Sequence, residues 1–189
     1  MYNFHERLFK GNIFKELIKI LFEKSGYLAL PFGYETHLTT IKQEIAKNND
    51  SRTALRIRSS PDLLIYDKEN NIVKLVEAKM STYPYPRLRQ TTLENYREFW
   101  DDAILIFVVP FENVFYAQEI YNLGFKKQYD PKTDFREIQK IFPKINNKDV
   151  NSFGTIAYDL ISALKKKSCE QKKELENTYC NTSINYVTR

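Results

Sequence analysis

One short stretch of the sequence contains two carboxylates and one ammonium group, at Asp62, Glu77 and Lys79. Glu77 and Lys79 are two residues apart, so they share one face if this segment is a strand. Mg²⁺ prefers oxygen ligands and makes a bound water easier to deprotonate. Phosphodiester hydrolysis needs such a metal, its water and a cation that offsets the charge developing on the phosphate. The three residues are therefore candidate catalytic residues.

Two short apolar segments, Leu63–Tyr66 and Ile72–Ala78, lie on either side of a turn-forming stretch at residues 67–71. This pattern predicts a β-hairpin. The register of the hairpin depends on whether the turn is centred on residues 69–70 or on residues 70–71.

Both registers place Asp62 beside the same end of the second strand. The earlier turn places Asp62 opposite Glu77, and the later turn places it opposite Lys79. Directly opposed Cβ atoms lie about 4.5–5.5 Å apart. Asp62, Glu77 and the backbone carbonyl of Ala78 are therefore predicted to bind Mg²⁺ or Mn²⁺.

The remaining pattern predicts an α/β fold with a central mixed sheet flanked by helices. Helices are predicted at Ile13–Lys24, Ile41–Ala46, Leu88–Trp100, Asp134–Ile141 and Phe153–Leu164. Further strands are predicted at Tyr27–Phe32, Ala54–Arg58 and Ala103–Val109, the last of them covered on both faces. Val114–Leu123 fits either a helix or a strand. Residues 1–164 are predicted to form one domain, followed by a charged C-terminal tail at residues 165–189.

Composition narrows the function classes. The 189 residues carry a net charge of +5, and the pI of about 9.0 favours a polyanionic partner such as DNA. No glycine-rich phosphate-binding loop is present. The two histidines and two cysteines lack zinc-site spacing. The longest apolar run falls short of the roughly 20 residues that a membrane span needs, so we expect a cytoplasmic protein with no membrane partner.

The segment Ser60-Pro61-Asp62, followed by Glu77-Ala78-Lys79, resembles the signature of the PD-(D/E)XK, or restriction-endonuclease-like, nuclease superfamily. The resemblance covers roughly residues 11–110. It implies a restriction-endonuclease-like core of a helix, three strands, a second helix and a further strand. Members of this superfamily are mostly metal-dependent DNA nucleases. The resemblance therefore implies an endonuclease that hydrolyses phosphodiester bonds in DNA with Mg²⁺ or Mn²⁺.

The resemblance also implies two accessory catalytic residues, Glu16 on the first helix and Gln90 on the helix after the second motif. Periodicity places Glu16 away from the centre of the apolar stripe, near Lys19. In one subgroup a tyrosine follows the glutamine by four residues, whereas here the nearest is Tyr96, six residues later.

Two pairs of arginines border the motif, Arg56 and Arg58 before it and Arg87 and Arg89 after it. Arginine suits bidentate contact with phosphate, so these four residues are predicted to bind nucleic acid.

Three functions are compatible with this sequence. The first is the endonuclease, for which a homodimer is plausible because cutting both strands takes two sites. The second is a non-catalytic module of the same fold that binds nucleic acid or a partner protein. The third is an unrelated α/β protein, in which Asp62, Glu77 and Lys79 would not converge.

Overall fold

The computed structural model describes residues 4–33, 51–80, 85–109, 114–160 and 162–163. Its six strands form one mixed sheet in the order β1-β2-β3-β4-β5-β6. The strands are β1 Leu28–Pro31, β2 Leu63–Asp67, β3 Ile72–Met80, β4 Ile104–Val109, β5 Val114–Glu119 and β6 Arg136–Glu137. The helices are α1 Phe4–Lys24, α2 Arg52–Arg58, α3 Gln90–Phe99, α4 Pro131–Asp134 and α5 at residues 147–160, with 3₁₀ turns at Ile120–Asn122 and Ile138–Lys140.

This architecture confirms the predicted α/β class with a central mixed sheet. Strands β3 and β4 are parallel, and every other neighbouring pair is antiparallel. The predicted helix at 41–46 and the predicted tail at 165–189 lie outside the described residues. No helix in the described ranges is both long and apolar enough to cross a membrane.

Helix α1 covers one face of the sheet. Its buried side includes Phe14, Ile18 and Leu21, which belong to one core cluster with Val76 and Ala78 of β3. The helix begins at Phe4, earlier than the predicted Ile13, and ends at Lys24 as predicted. Gly26 follows with a φ of 85°, the left-handed conformation that glycine adopts readily after a helix.

Helix α3 covers the opposite face. Its buried residues Leu93 and Tyr96 pack in a second core cluster with Leu105 and Phe107 of β4. Residues 103–108 are all buried, which confirms the prediction of a strand covered on both faces. Because α3 connects two parallel strands, it starts at the end of the sheet where β3 finishes.

The hairpin register follows the earlier of the two predicted turns. Leu63 pairs with Val76 and Asp67 pairs with Ile72, so Asp62 lies opposite Glu77. The alternative register, with Asp62 opposite Lys79, is wrong. Residues 68–71 form the loop, and the Asp67 carboxylate accepts backbone N–H groups from residues 69 and 70.

Two secondary-structure predictions are wrong. Residues 54–58 form part of helix α2 instead of a strand, because Ser51 caps the helix by accepting the N–H of Ala54 at 3.3 Å. The predicted helix at 134–141 is absent from the described chain. Asp130 and Pro131 start a shorter helix earlier, and β6 then pairs with β5.

Two further segments differ in detail. Residues 114–123, which fitted either element, form β5 and a 3₁₀ turn. Helix α5 starts at 147, earlier than the predicted Phe153, because Asn146 accepts the N–H of Asp149 at 2.8 Å and caps the helix.

Candidate active site

Asp62 lies immediately before β2 and is anchored through its backbone. Its carbonyl oxygen accepts N–H groups from Phe32 at 2.9 Å and Gly33 at 3.3 Å. The chain passes so close here that a Cβ atom on Gly33 would lie 3.4 Å from the carbonyl oxygen of Pro61. The segment after β1 therefore fixes the backbone position of Asp62, independently of its side-chain contacts.

The Asp62 carboxylate is buried and makes two strong contacts. Oδ2 accepts the backbone N–H of Ala78 at 3.0 Å, and Oδ1 lies 2.6 Å from Nζ of Lys15 on α1. The N–H and C=O groups of one strand residue point to the same edge of the strand. The Ala78 carbonyl therefore points toward the edge where Asp62 lies.

Glu77 is almost fully buried, at 3% exposure, on the face covered by α3. Its Oε1 accepts a hydrogen bond of 2.6 Å from the hydroxyl of Tyr96 and forms an ion pair with Lys79. Burial raises the pKa of Glu77 to about 7, the Lys79 ammonium opposes this rise, and the Asp62 charge adds to it. The Glu77 carboxyl group therefore titrates near neutral pH.

Lys79 is the more accessible partner of this pair, with 38% of its side chain exposed. Burial lowers the pKa of Lys79, but the charges of Glu77 and Asp62 outweigh burial and hold the pKa above its ordinary value. Lys79 is therefore a cation that reaches both Glu77 and the solvent side of the cluster.

Tyr96 contributes a hydroxyl that stays protonated. Burial, reinforced by the neighbouring Glu77 charge, raises the pKa of Tyr96 well above its ordinary value. The hydroxyl is consequently a constant hydrogen-bond donor to the glutamate.

The structure does not bring the two predicted accessory residues into this cluster. Glu16 is 60% exposed in its side chain and pairs with Lys19 at 3.2 Å. Gln90 is exposed at the first turn of α3 and donates to Glu94 at 2.9 Å. Successive helix residues point about 100° apart, so α1 turns Lys15 toward Asp62 and Glu16 toward solvent.

The predicted arginines lie near the two ends of α3. Arg56 on α2 stacks over Trp100, directly after α3, at 5.2 Å, and Arg58 is the last residue of α2. Arg87 and Arg89 are exposed just before α3 begins. A helix of this length spans about 15 Å, so the two pairs flank the side of the sheet that carries Glu77.

Lys15 and Tyr96 belong to the cluster, although neither was predicted as a site residue. Tyr96 follows Leu93 at the spacing of one buried helix face, a signal that identifies a core residue and gives no hint of its hydroxyl partner. Lys15 is one of several lysines that interrupt the apolar pattern of α1, and its sequence context does not distinguish it from Lys19.

The donor set fits a hard divalent cation. Asp62, Glu77 and the Ala78 carbonyl offer only oxygen atoms, and Mg²⁺ commonly takes one or two protein carboxylates while keeping several waters. The described residues contain no group of three or more acidic, histidine or cysteine side chains placed to hold a metal. Within the described part of the chain, the remaining ligands of such a cation would be water or substrate oxygens.

One solved structure similar to this chain is that of Archaeoglobus fulgidus Hjc, described as a Holliday junction resolvase from an archaeal hyperthermophile. The two share 15% sequence identity and a TM-score of 0.48, over 73% of this chain and 99% of that chain. No protein-family model and no curated protein matches this chain. At this level of similarity the likeness carries no functional information.

Proposed function

We propose that this protein is a metal-dependent endonuclease that hydrolyses phosphodiester bonds in DNA. One observation supports the proposal: the buried carboxylates of Asp62 and Glu77 interact electrostatically, while Asp62 accepts the N–H of Ala78 and Glu77 pairs with the ammonium of Lys79. Burying two carboxylates is costly unless positive charge compensates them, and a bound divalent cation would add to the compensation that Lys15 and Lys79 supply.

Asp62, Glu77 and the carbonyl of Ala78 would hold the cation. When bound, Mg²⁺ or Mn²⁺ supplies a Lewis acid and a water of lowered pKa. Lys79 then offsets the charge that develops on the scissile phosphate, and its 38% exposure lets it reach a substrate. Tyr96 holds Glu77 in place through the 2.6 Å hydrogen bond.

The arginines provide the substrate surface. Arg56 lies near the C-terminal end of α3, whereas Arg87 and Arg89 lie near its N-terminal end, and all three are exposed. The overall charge of +5 supports the same class of partner.

The test is cleavage of supercoiled plasmid, linear duplex, a four-way junction and single-stranded DNA in Mg²⁺, Mn²⁺ or EDTA. Wild type is expected to cut at least one substrate with metal, and Asp62→Asn and Lys79→Met are expected to lose about 100-fold or more in rate. Asp67→Asn and Lys74→Met are matched controls, because they remove the same charges at the far end of the same hairpin.

A second candidate is a non-catalytic DNA-binding module. It is favoured by one observation: each carboxylate already has an ammonium partner, Lys15 for Asp62 and Lys79 for Glu77. Fluorescence anisotropy with the same substrates separates the two functions. Tight binding by wild type and by Asp62→Asn, with no cleavage in any metal, would replace the nuclease with the binding module.

A further inference from the structure

An ammonium group occupies one oxygen of the buried Asp62 carboxylate. Nζ of Lys15 lies 2.6 Å from Oδ1, and the Asp62 side chain is only 7% exposed. The other oxygen, Oδ2, accepts the N–H of Ala78. A divalent cation that binds Asp62 must therefore share this carboxylate with Lys15 or displace it.

The position of Lys15 is fixed by the helix that carries it. Phe14 and Ile18, on either side of Lys15 along α1, are 2% and 0% exposed. Their burial against the sheet sets the rotation of α1 about its axis and turns Lys15 toward Asp62. The ammonium leaves the carboxylate only by rotation of its own side chain, since moving the helix would expose the core.

Among the described residues, the cluster holds as many ammonium groups as carboxyl groups before any metal binds. Asp62 and Glu77 bring two negative charges when ionised, and Lys15 and Lys79 bring two positive charges. A cluster without Lys15 would carry one net negative charge and would attract a divalent cation more strongly. Lys15 thus supplies, from the protein itself, a positive charge that a cation would otherwise supply.

We propose that Lys15 competes with the divalent cation at Asp62, which weakens metal binding and restricts the site to one cation. The inference rests on the proposed metal-dependent function. The described residues offer no third acidic side chain at the cluster, so a second cation would find the Oδ1 side of Asp62 occupied and no further carboxylate.

The experiment measures Mn²⁺ binding to the full chain by isothermal titration calorimetry, without nucleic acid. Wild type is expected to bind one ion. Lys15→Gln and Lys15→Met are each expected to bind Mn²⁺ roughly tenfold more tightly or better, because a unit charge at contact distance has been removed from a partly buried site. Lys15→Arg keeps the charge and should stay near the wild-type affinity.

Lys19→Gln is the matched control, because Lys19 lies on the same helix but pairs with Glu16 and Glu23, away from Asp62. Its affinity should stay within about twofold of wild type, as expected for loss of exposed pairs. Circular dichroism checks that each variant is folded. If only one of Lys15→Gln and Lys15→Met is folded, the comparison with wild type uses that variant.

Equal or weaker Mn²⁺ binding by the folded, uncharged Lys15 variants would overturn the proposal, as would two ions bound to wild type. The outcome is separable from the nuclease assay. If the Lys15 variants bind Mn²⁺ more tightly but wild type cuts no DNA, the role of Lys15 is upheld and the proposed function fails. Metal-dependent cleavage without tighter binding in the Lys15 variants would refute the role of Lys15 alone.

Discussion

Replacement of Glu77 by glutamine should make the protein more stable at alkaline pH. The folded chain holds Glu77 at a pKa of about 7, above the ordinary value of 4.5, chiefly because the carboxyl group is buried. The folded state therefore binds the Glu77 proton more tightly than the unfolded state does. The free energy of unfolding of wild type consequently falls as pH rises from 4.5 to about 7. Glutamine resembles the protonated form and does not titrate.

The size of the effect follows from the two pKa values. The interval from 4.5 to about 7 corresponds to about 3 kcal/mol, at about 1.4 kcal/mol per pH unit. The attraction of Lys79 is already included in that pKa. We therefore expect the free energy of unfolding of Glu77→Gln, relative to wild type, to increase by about 3 kcal/mol between pH 4 and pH 9.

Urea denaturation followed by circular dichroism, repeated at intervals between pH 4 and pH 9, measures this difference. Glu16→Gln is the control, because Glu16 is 60% exposed and the loss of its exposed pair should change the free energy of unfolding only slightly. A difference between Glu77→Gln and wild type that stays constant across the range would refute the reasoning. The same variant should lose the proposed cleavage, so stability and activity would change in opposite directions.

Three further changes have defined outcomes. Tyr96→Phe removes the 2.6 Å donor to Glu77 and should lower the free energy of unfolding by about 1.5–3 kcal/mol at pH 9, and by less at pH 5, in the same denaturation assay. Lys144→Met removes the cation that lowers the pKa of Asp67 to about 2. In wild type, the pair of Lys144 with ionised Asp67 stabilises the folded state above pH 3.8, and this stabilisation is lost as pH falls through 2. Its melting temperature should therefore lie below that of wild type at pH 6, with the gap closing toward pH 2. Phe22→Ala empties a fully buried aromatic position and should cost about 3–5 kcal/mol, measured by urea denaturation.

The hairpin could be predicted from the sequence because its determinants are local. Apolar runs marked both strands, and the residues between them marked the turn, which limited Asp62 to two possible partners. The choice of Glu77 over Lys79 depends on the conformation of the loop at 68–71, where Asp67 accepts two backbone N–H groups and Asn71 adopts a φ of 53°. Side-chain capping of this kind is only partly encoded in residue type.

The contacts of Lys15 and Tyr96 could not be predicted, because they are made between elements that are distant in sequence. Each residue sits on a helix whose rotation about its axis is set by packing against the sheet. The family resemblance predicts Glu16 as the site residue of this helix, whereas its neighbour Lys15 makes the contact with Asp62. Adjacent residues of a helix point about 100° apart, so the two side chains face different surroundings. The helix at Arg52–Arg58 was missed for a related reason, since a short helix with one buried residue, Ala54, can show the alternation of a strand.

The two outer strands of the sheet have a consequence for self-association. Strand β1 has four residues and ends at Pro31, which has no N–H to donate, and β6 has only two residues. Short edges and a proline are features that block the addition of a strand from another molecule. We therefore expect the described part of the chain to associate with a second copy through helices or loops, and not through these two strand edges.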